Sequence, residues 1–549
     1  MNTQSLPTPL KGGLRVFSNA RVLAGDHFTG PCDVITAQGR VRAIVPAGTG
    51  LAEATSPLEQ PAVTDVDGQY LMPGFVESHG HPVSHGINRL QLDMRPAAVS
   101  SIADIRTAVR RSAERSARGS WIVGAGFDET YLSDGRMPDR GDLDEAAPDH
   151  PVAIARTCGH MLVANSRALA LSGIDEAVED PPGGKFVRDS TGRLTGLVQE
   201  DATRLIAQPE PDDAMREEGF SLAQDDFHSW GVTTVNDAIA EPSHMRLYQR
   251  LNTTGQLRVR MRPWLYAIPF SGREGVLDDL VAAGITSGLG NDMLRVQGVK
   301  FQLDGSLGGR TAALYDPYTG SDNRGILTHP TERLISAFRT AARGGLRMAI
   351  HAIGDAAIGQ ALEALEKSGE LPWIIANRNR IEHCSLPTPE QLDTMAQWSL
   401  IASSSIGFVY NLGDSYPEAL GDERIERLLP HRDLIARGIV APGNSDVPVT
   451  SGNPWHGIFG AITRTTRTGT VLDRKQSITL AESLAMYMTD AAYANFEEDR
   501  AGMVAPGAFA DFQIYDRDPF AQAPEELLEL SPESVFLSGK KVYERSEPV

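Results

Sequence analysis

Two histidines two residues apart, His79 and His81, stand where an apolar run breaks into Glu77-Ser78-His79-Gly80-His81-Pro82. In an extended strand, side chains two residues apart share a face, so both imidazoles can reach one ion if that face opens onto a cavity. Such pairs also occur as ordinary hydrogen-bonded histidines, and the metal reading therefore needs companions. They are present in similar local settings. Lys300 lies in the apolar stretch 294–303, which ends in Asp304 and Gly305; His351 follows Met348-Ala349-Ile350, His383 follows Arg380-Ile381-Glu382, and Asp446 sits among Gly, Asn, Ser and Pro in 438–448. Polar ends of successive short apolar runs, with helical patterns between them, read as the rim of one barrel.

This ordered set, H-x-H, Lys, His, His, Asp, resembles the amidohydrolase superfamily of metal-dependent hydrolases, and more closely the branch that contains N-substituted formamide deformylases. The resemblance extends over nearly the whole chain. It includes Gly126-Phe127-Asp128-Glu129, Gly135-Arg136-Met137-Pro138, Cys158-Gly159-His160 with Ala164-Asn165-Ser166, and Gly231-Val232-Thr233-Thr234-Val235. It continues through Asp304-Gly305-Ser306-Leu307-Gly308, Arg310-Thr311-Ala312, His351-Ala352-Ile353-Gly354-Asp355, Arg380-Ile381-Glu382-His383 and Gly507-Ala508-Phe509-Ala510-Asp511-Phe512. Two positions depart from the pattern: relatives commonly carry aspartate where Glu77 stands, and often tryptophan where Phe127 stands.

The resemblance implies a site chemistry. Two divalent ions, most plausibly zinc, suit a mixed imidazole and carboxylate set, with His79 and His81 on the more buried ion, His351 and His383 on the other, and Asp446 among the ligands. A protonated lysine is a poor ligand, so Lys300 fits chiefly as a carbamate bridging both ions; the alternative is a lysine paired to Asp304 or another acid beside a single ion. A metal-activated water would attack, and Asp446 would take its proton as general base and return it to the leaving nitrogen as general acid. Hydrolysis of a small amide follows, an N-substituted formamide or N-acyl amine being the specific expectation. A lactam, carbamate or ester is the alternative on the same nucleophile. Lys300 disfavours a hydrolytic deaminase, and the complete ligand set disfavours a non-catalytic scaffold. Phe127, His160, Asp304 and Arg310 are the expected substrate contacts, although Arg310 reads equally as a structural ion pair and His160 as a packing residue.

The elements that must position these residues follow from periodicity. Between 295 and 449 short strands alternate with amphipathic helices, such as Leu334, Ile335, Phe338 and Ala342, then Ile358, Leu362 and Leu365. Repeated β-α units predict an α/β fold with a (β/α)8 barrel, placed at 73–94 and 221–499. The runs 14–23, 33–45 and 63–71 read as antiparallel strands. With 510–515 and 534–543 they are assigned to a small β-sandwich built from 1–72 and 500–549. The gap from His79 to the next clear strand at 231–237 exceeds a normal connection and implies an inserted α+β cap subdomain at 95–220, with Gly126–Glu129, His160 and Glu200 contributing to specificity. His27, His150, His228 and His431 stand in polar stretches and read as surface residues.

Composition narrows the partners. The 549 residues carry a formal charge of −20, with 71 acids against 51 Lys and Arg, which argues against nucleic acid or an anionic membrane. No run approaches the ~20 apolar residues of a membrane span. The first 13 residues lack the pattern of a secretory signal, and Cys32, Cys158 and Cys384 are too few for a disulfide framework, so a cytoplasmic enzyme acting on a small amide-like molecule is expected. Family likeness adds a homodimer to the expectations.

Overall fold

The computed structural model describes residues 13–54, 60–157, 159–181, 183–270 and 272–546; Cys158 and most of the N-terminal segment examined for a signal lie outside the described residues. The chain divides into two units, one built from residues up to 81 and from 224 onward, the other from 82–223.

In the larger unit a parallel ladder begins at Phe75–Gly80, which pairs with Val232–Asp237, itself paired with Arg260–Met261. A parallel bridge from Ala240 to Leu265 leads to Trp264–Tyr266, and the ladder continues through Gly298–Gln302, Met348–Ala352, Arg380–His383 and Ile401–Ser404. Ser404 bridges to Gly443, and Ser78 donates its N–H to the same Gly443 carbonyl, so the hydrogen bonding returns to the strand it started from. Every residue of Phe75–Gly80 and Val232–Asp237 is buried, as strands covered on both faces require.

The connecting helices explain that cover. Thr331–Arg343 presents Leu334, Phe338, Ala341 and Ala342 inward, and the Phe338 ring meets Phe301 of the ladder edge-on at 4.8 Å. Burying each such large side chain contributes roughly 1.5–3 kcal/mol. Asp355–Lys367 does the same with Ile358, Leu362 and Leu365.

Both chain ends meet in a second sheet. Its order runs Lys540–Glu544, Ser534–Leu537, Phe512–Tyr515, Tyr70–Pro73, Arg15–Ala24, Cys32–Ala37, Arg40–Pro46. Two expectations fail here: the run 33–45 is an antiparallel hairpin of Cys32–Ala37 and Arg40–Pro46, not one strand. The run 63–71 is not one antiparallel strand: it forms Ala62–Asp65 and Tyr70–Pro73, and both pair with Arg15–Ala24 in parallel. The break falls at Asp67 and Gly68, whose φ of 53° and 73° only a turn accommodates, and the alternation that marks a strand does not encode its partner's direction.

The inserted unit has its own six-stranded sheet, ordered Gly184–Arg188, Leu194–Glu200, Met161–Ala164, Val152–Arg156, Ile122–Phe127, Leu92–Asp93. Ile105 and Val109 of the helix Ile102–Arg115 pack with Phe127, Leu143 and Ile154 in one core. Two motif residues serve this fold directly. Arg136 grips Asp142, the acid of a capping box on Arg140–Ala146, and the Asn165 side chain accepts from the backbone of Val152 and Ala168.

Candidate metal centre

The strand Phe75–Gly80 delivers His79 at its end, with His81 just beyond. The space beside the glycine between them is tight: a Cβ at Gly80 would meet Val447 Cγ1 at 3.0 Å and Glu77 Cγ at 3.3 Å. The segment 443–447 lies that close because its backbone is stitched to the strand, Asp446 N donating to His79 O at 3.1 Å and His81 N to Val447 O at 2.7 Å. Asp446 and His383 both hold left-handed backbone, φ 57° and 67°, a strained conformation that non-glycine residues keep where the surroundings impose it and that concentrates at functional sites.

These constraints bring His79, His81 and Asp446 together, with one ligand atom from each lying within 4.8 Å of the others. Asp446 Oδ1 sits 3.0 Å from His81 Nε2 and 3.5 Å from His79 Nε2. The distance to His81 is short enough for charge attraction, yet the alignment is not that of a hydrogen bond, and Oδ1 is buried with no hydrogen-bond partner. Two imidazole nitrogens and an orphaned carboxylate oxygen converging on one point match the donor chemistry of a divalent cation site.

The other histidines follow in a file of rings. His79 and His383 have centroids 4.6 Å apart, and His383 and His351 4.5 Å. His351 Nε2 lies 3.1 Å from the Gly305 carbonyl and 3.3 Å from Asp304 Oδ1, which leaves Nδ1 as its free nitrogen. His383 Nδ1 lies 2.7 Å from Ser405 Oγ, and Phe408 stacks on its ring at 5.7 Å. Burial holds His79 and His383 well below the ordinary histidine range, reinforced by the Lys300 charge and by neighbouring imidazoles, so both are neutral with a lone pair to give. Lys300, within the strand Gly298–Gln302, is also buried; burial lowers its amine to about 8 against the pull of Glu382 and Asp446.

Glu77 accounts for its departure from aspartate. Its carboxyl accepts from Ser445 Oγ at 2.6 Å, Ser445 N at 3.1 Å and His79 N at 3.1 Å, joining the histidine strand to the residue before Asp446. Burial pushes it up to about 8.

The expected substrate contacts fare differently. Phe127 does not line a pocket: its ring is fully buried in the core of the inserted unit. Asp304 is likewise spent on structure, accepting from the backbone N–H groups of Ala313, Ile353 and Gly354 while fully buried. Arg310 takes the ion-pair alternative, 2.9 Å from the exposed Glu418. His160 pairs with Glu200 at 3.0 Å in the inserted unit, both partly exposed, and Arg156 there bonds Asp128 and Glu129.

Sequence reasoning also misplaced three histidines. His150, His228 and His431 are buried, each satisfied at one ring nitrogen by Ser120 O, Arg258 O and Ser404 Oγ respectively. Polar neighbours along the chain do not report such partners. His27 is exposed. Among the residues missed altogether are Asn444, Ser405 and the pair Arg380 and Glu382, whose only sequence signal was the block Arg380-Ile381-Glu382-His383. Asp237, at the end of the next strand, was missed as well; it receives the Tyr248 hydroxyl at 2.8 Å and lies 3.3 Å from His244 Nδ1.

Comparison with known proteins is consistent with this geometry. A profile described as "Amidohydrolase family" matches residues 62–543. The Bacillus subtilis (strain 168) protein YtcJ is 29% identical over 88% of this chain and 90% of its own length. The N-substituted formamide deformylase of Arthrobacter pascens is 26% identical, over 96% of this chain and 98% of its own. The crystal structure of an uncharacterized metal-dependent hydrolase from Pyrococcus horikoshii OT3 superposes with a TM-score of 0.76 at 26% identity, covering 93% of this chain and 99% of that one.

Proposed function

The chain belongs to the amidohydrolase family, whose fold its solved relatives share as metal-dependent hydrolases, and on that premise we propose that it cleaves the carbon–nitrogen bond of a small amide. An N-substituted formamide or N-acyl amine is the favoured substrate class, supported by the full-length likeness to the Arthrobacter pascens deformylase. A lactam, carbamate or ester is the alternative on the same site. The observation that carries the reading is the convergence of His79, His81 and the orphaned Asp446 Oδ1, with neutral His383 and His351 filed beside them.

Two divalent ions, zinc by preference, match these donors: His79 and His81 with Asp446 at one position, His351 Nδ1 and His383 Nε2 at the other. Such an ion supplies Lewis acidity and makes water nucleophilic near neutral pH. Asp446 accepts the proton of the attacking water on its other carboxylate oxygen and returns it to the leaving nitrogen. Lys300, with its amine lowered to about 8, would add CO2 through neutral Nζ and release one proton to solvent, giving a carbamate able to join the ligands. Remaining an ammonium held by Glu382 and Asp446, it would accompany a single ion instead.

The circuit of parallel pairings supports a (β/α)8 barrel at 73–94 and 221–499, the sheet joining both chain ends a β-sandwich at 1–72 and 500–549, and the separate core of the second unit an inserted subdomain at 95–220. Among the described residues no helix is long and apolar enough to cross a membrane. A cytoplasmic homodimer completes the proposal.

Elemental analysis of protein purified without a metal-affinity tag, run beside amine release from N-formyl, N-acyl and lactam compounds, tests it. About two zinc ions per chain with amine release is the expected result. One ion or none, with no turnover after metal and bicarbonate are added back, overturns it.

A further inference from the structure

A buried network links the histidines from behind. Glu382 Oε2 lies 2.5 Å from His79 Nδ1, and Arg380 grips both Glu382 oxygens, Nε to Oε1 at 2.7 Å and Nη2 to Oε2 at 2.9 Å. Arg380 Nη2 also donates to the Ser78 carbonyl at 2.7 Å and to Ser403 Oγ at 2.8 Å, and its guanidinium lies 5.0 Å from the centre of the Trp264 ring. Asn444 Nδ2 donates to Ser403 Oγ at 3.2 Å, Ser405 Oγ donates to Asn444 Oδ1 at 2.9 Å, and Ser405 Oγ meets His383 Nδ1. Each of these side chains is buried.

The Glu382 branch takes its direction from its ends, and the other branch takes it from the Asn444 amide, whose Nδ2 faces Ser403 and whose Oδ1 faces Ser405. Arginine only donates and an ionised carboxylate only accepts. The Arg380 fork closing on both Glu382 oxygens is the geometry of a guanidinium on a carboxylate. The contact between Glu382 and His79 therefore requires a proton on His79 Nδ1, which leaves the Nε2 lone pair facing Asp446. Along the other branch, Ser405 gives its one proton to Asn444, so its oxygen must accept from His383 Nδ1–H, which leaves His383 Nε2 free. Neutral imidazole has two tautomers, and a ligand needs one particular nitrogen bare; a partner on the other nitrogen is how proteins choose.

We propose that Glu382, held by Arg380, sets the tautomer of His79 and that Ser405, held by Asn444, sets that of His383, the two branches meeting at Arg380 and Ser403. Glu382 and Ser405 are positioning residues for both ion positions. The inference rests on the metal reading above and assigns the selection of ligand atoms to one network.

Zinc affinity is measured on the full chain by competition with a chromophoric chelator, with circular dichroism to check the fold. Glu382→Gln keeps the shape but has one acceptor oxygen for the two Arg380 donors and the His79 proton. Glu382→Gln and Ser405→Ala are each expected to weaken zinc binding about 10–100-fold with the fold intact. In wild-type protein labelled with 15N-histidine, His79 and His383 are expected to carry their proton on Nδ1. Zinc affinity within about twofold of wild type in both variants, or the proton on Nε2 of either histidine, overturns the positioning role while leaving the metal site standing. Wild-type protein that binds no zinc overturns the metal reading and this inference with it. If Glu382→Gln fails to fold, Ser405→Ala and the wild-type spectrum still decide.

Discussion

Shortening Glu77 to aspartate isolates one link in the site. The carboxyl withdraws by one carbon–carbon bond, about 1.5 Å, from Ser445, whose Oγ and N now stand at 2.6 and 3.1 Å. Both contacts then exceed hydrogen-bonding distance, whereas the bond from His79 N, two residues along the chain, stays within reach of the shorter side chain. Burial raises the carboxyl to about 8, and each of these bonds is worth about 0.5–1.5 kcal/mol. The stranded Ser445 N–H adds about 1–3 kcal/mol because it is buried. Relaxation of the loop returns part of this, and Glu77→Asp should cost about 2–4 kcal/mol out of a total stability on the order of 5–15 kcal/mol. Since Ser445 precedes Asp446, a displacement near 1 Å should also lower turnover by roughly 10²-fold. Urea unfolding followed by tryptophan fluorescence reads the first quantity and steady-state kinetics the second. A double-mutant cycle with Ser445→Ala identifies the route: if the link runs through Ser445, the double variant loses less than the two single losses combined. Stability within about 0.5 kcal/mol of wild type, or strictly additive losses, refutes the reasoning.

Four other outcomes follow. Asp446→Asn should retain metal by elemental analysis yet lose about 10²-fold or more in turnover, and near-normal activity would remove Asp446 from proton transfer. Lys300→Ala should lower metal content and be partly rescued by short carboxylic acids; full loading without rescue would favour the single-ion site. Phe127→Ala should destabilise the inserted unit by about 3–5 kcal/mol in thermal unfolding, whereas a raised KM at unchanged stability would return Phe127 to the substrate pocket. Burial lowers His228 from 6.5 to about 4, so the unfolded chain binds a proton before the folded one as pH falls. Its contribution is complete above pH 6.5 and is lost on acidification toward pH 4, about 3 kcal/mol in all. His228→Gln should flatten that part of the acid unfolding profile, and an unchanged profile would place the acid sensitivity elsewhere.

Placement was legible in the sequence where a ligand-type residue closes an apolar run. His79, His81, His351, His383 and Asp446 stand out in that way, Lys300 lies inside one, and Thr331–Arg343 and Asp355–Lys367 were readable from their helical spacing. Partnership was not legible. Alternation in 63–71 marks a surface and says nothing about a parallel neighbour, just as nothing near Tyr70–Pro73 points to Phe512–Tyr515. Arg380 and Glu382 stood out only as neighbours of His383, and Asp304 as a pocket acid, because a buried polar group is defined by donors brought from distant segments. Phe127 misled for the opposite reason: a motif position was read as contact with substrate when the strand alternation turns it into a core.

The stitching between Ser78 and Gly443, and between Glu77 and Ser445, spans 365 and 368 residues. During synthesis at ~5–20 residues per second, the first histidines emerge tens of seconds before the loop that completes their surroundings. A nascent or truncated chain ending before residue 443 therefore offers an H-x-H pair without its carboxylate or its backbone clamp. Closure of the site becomes a late event, timed by the arrival of residues 443–447, and such long-range closure makes folding slow. Until then the backbone groups of Phe75–Gly80 that meet this segment stay unpaired.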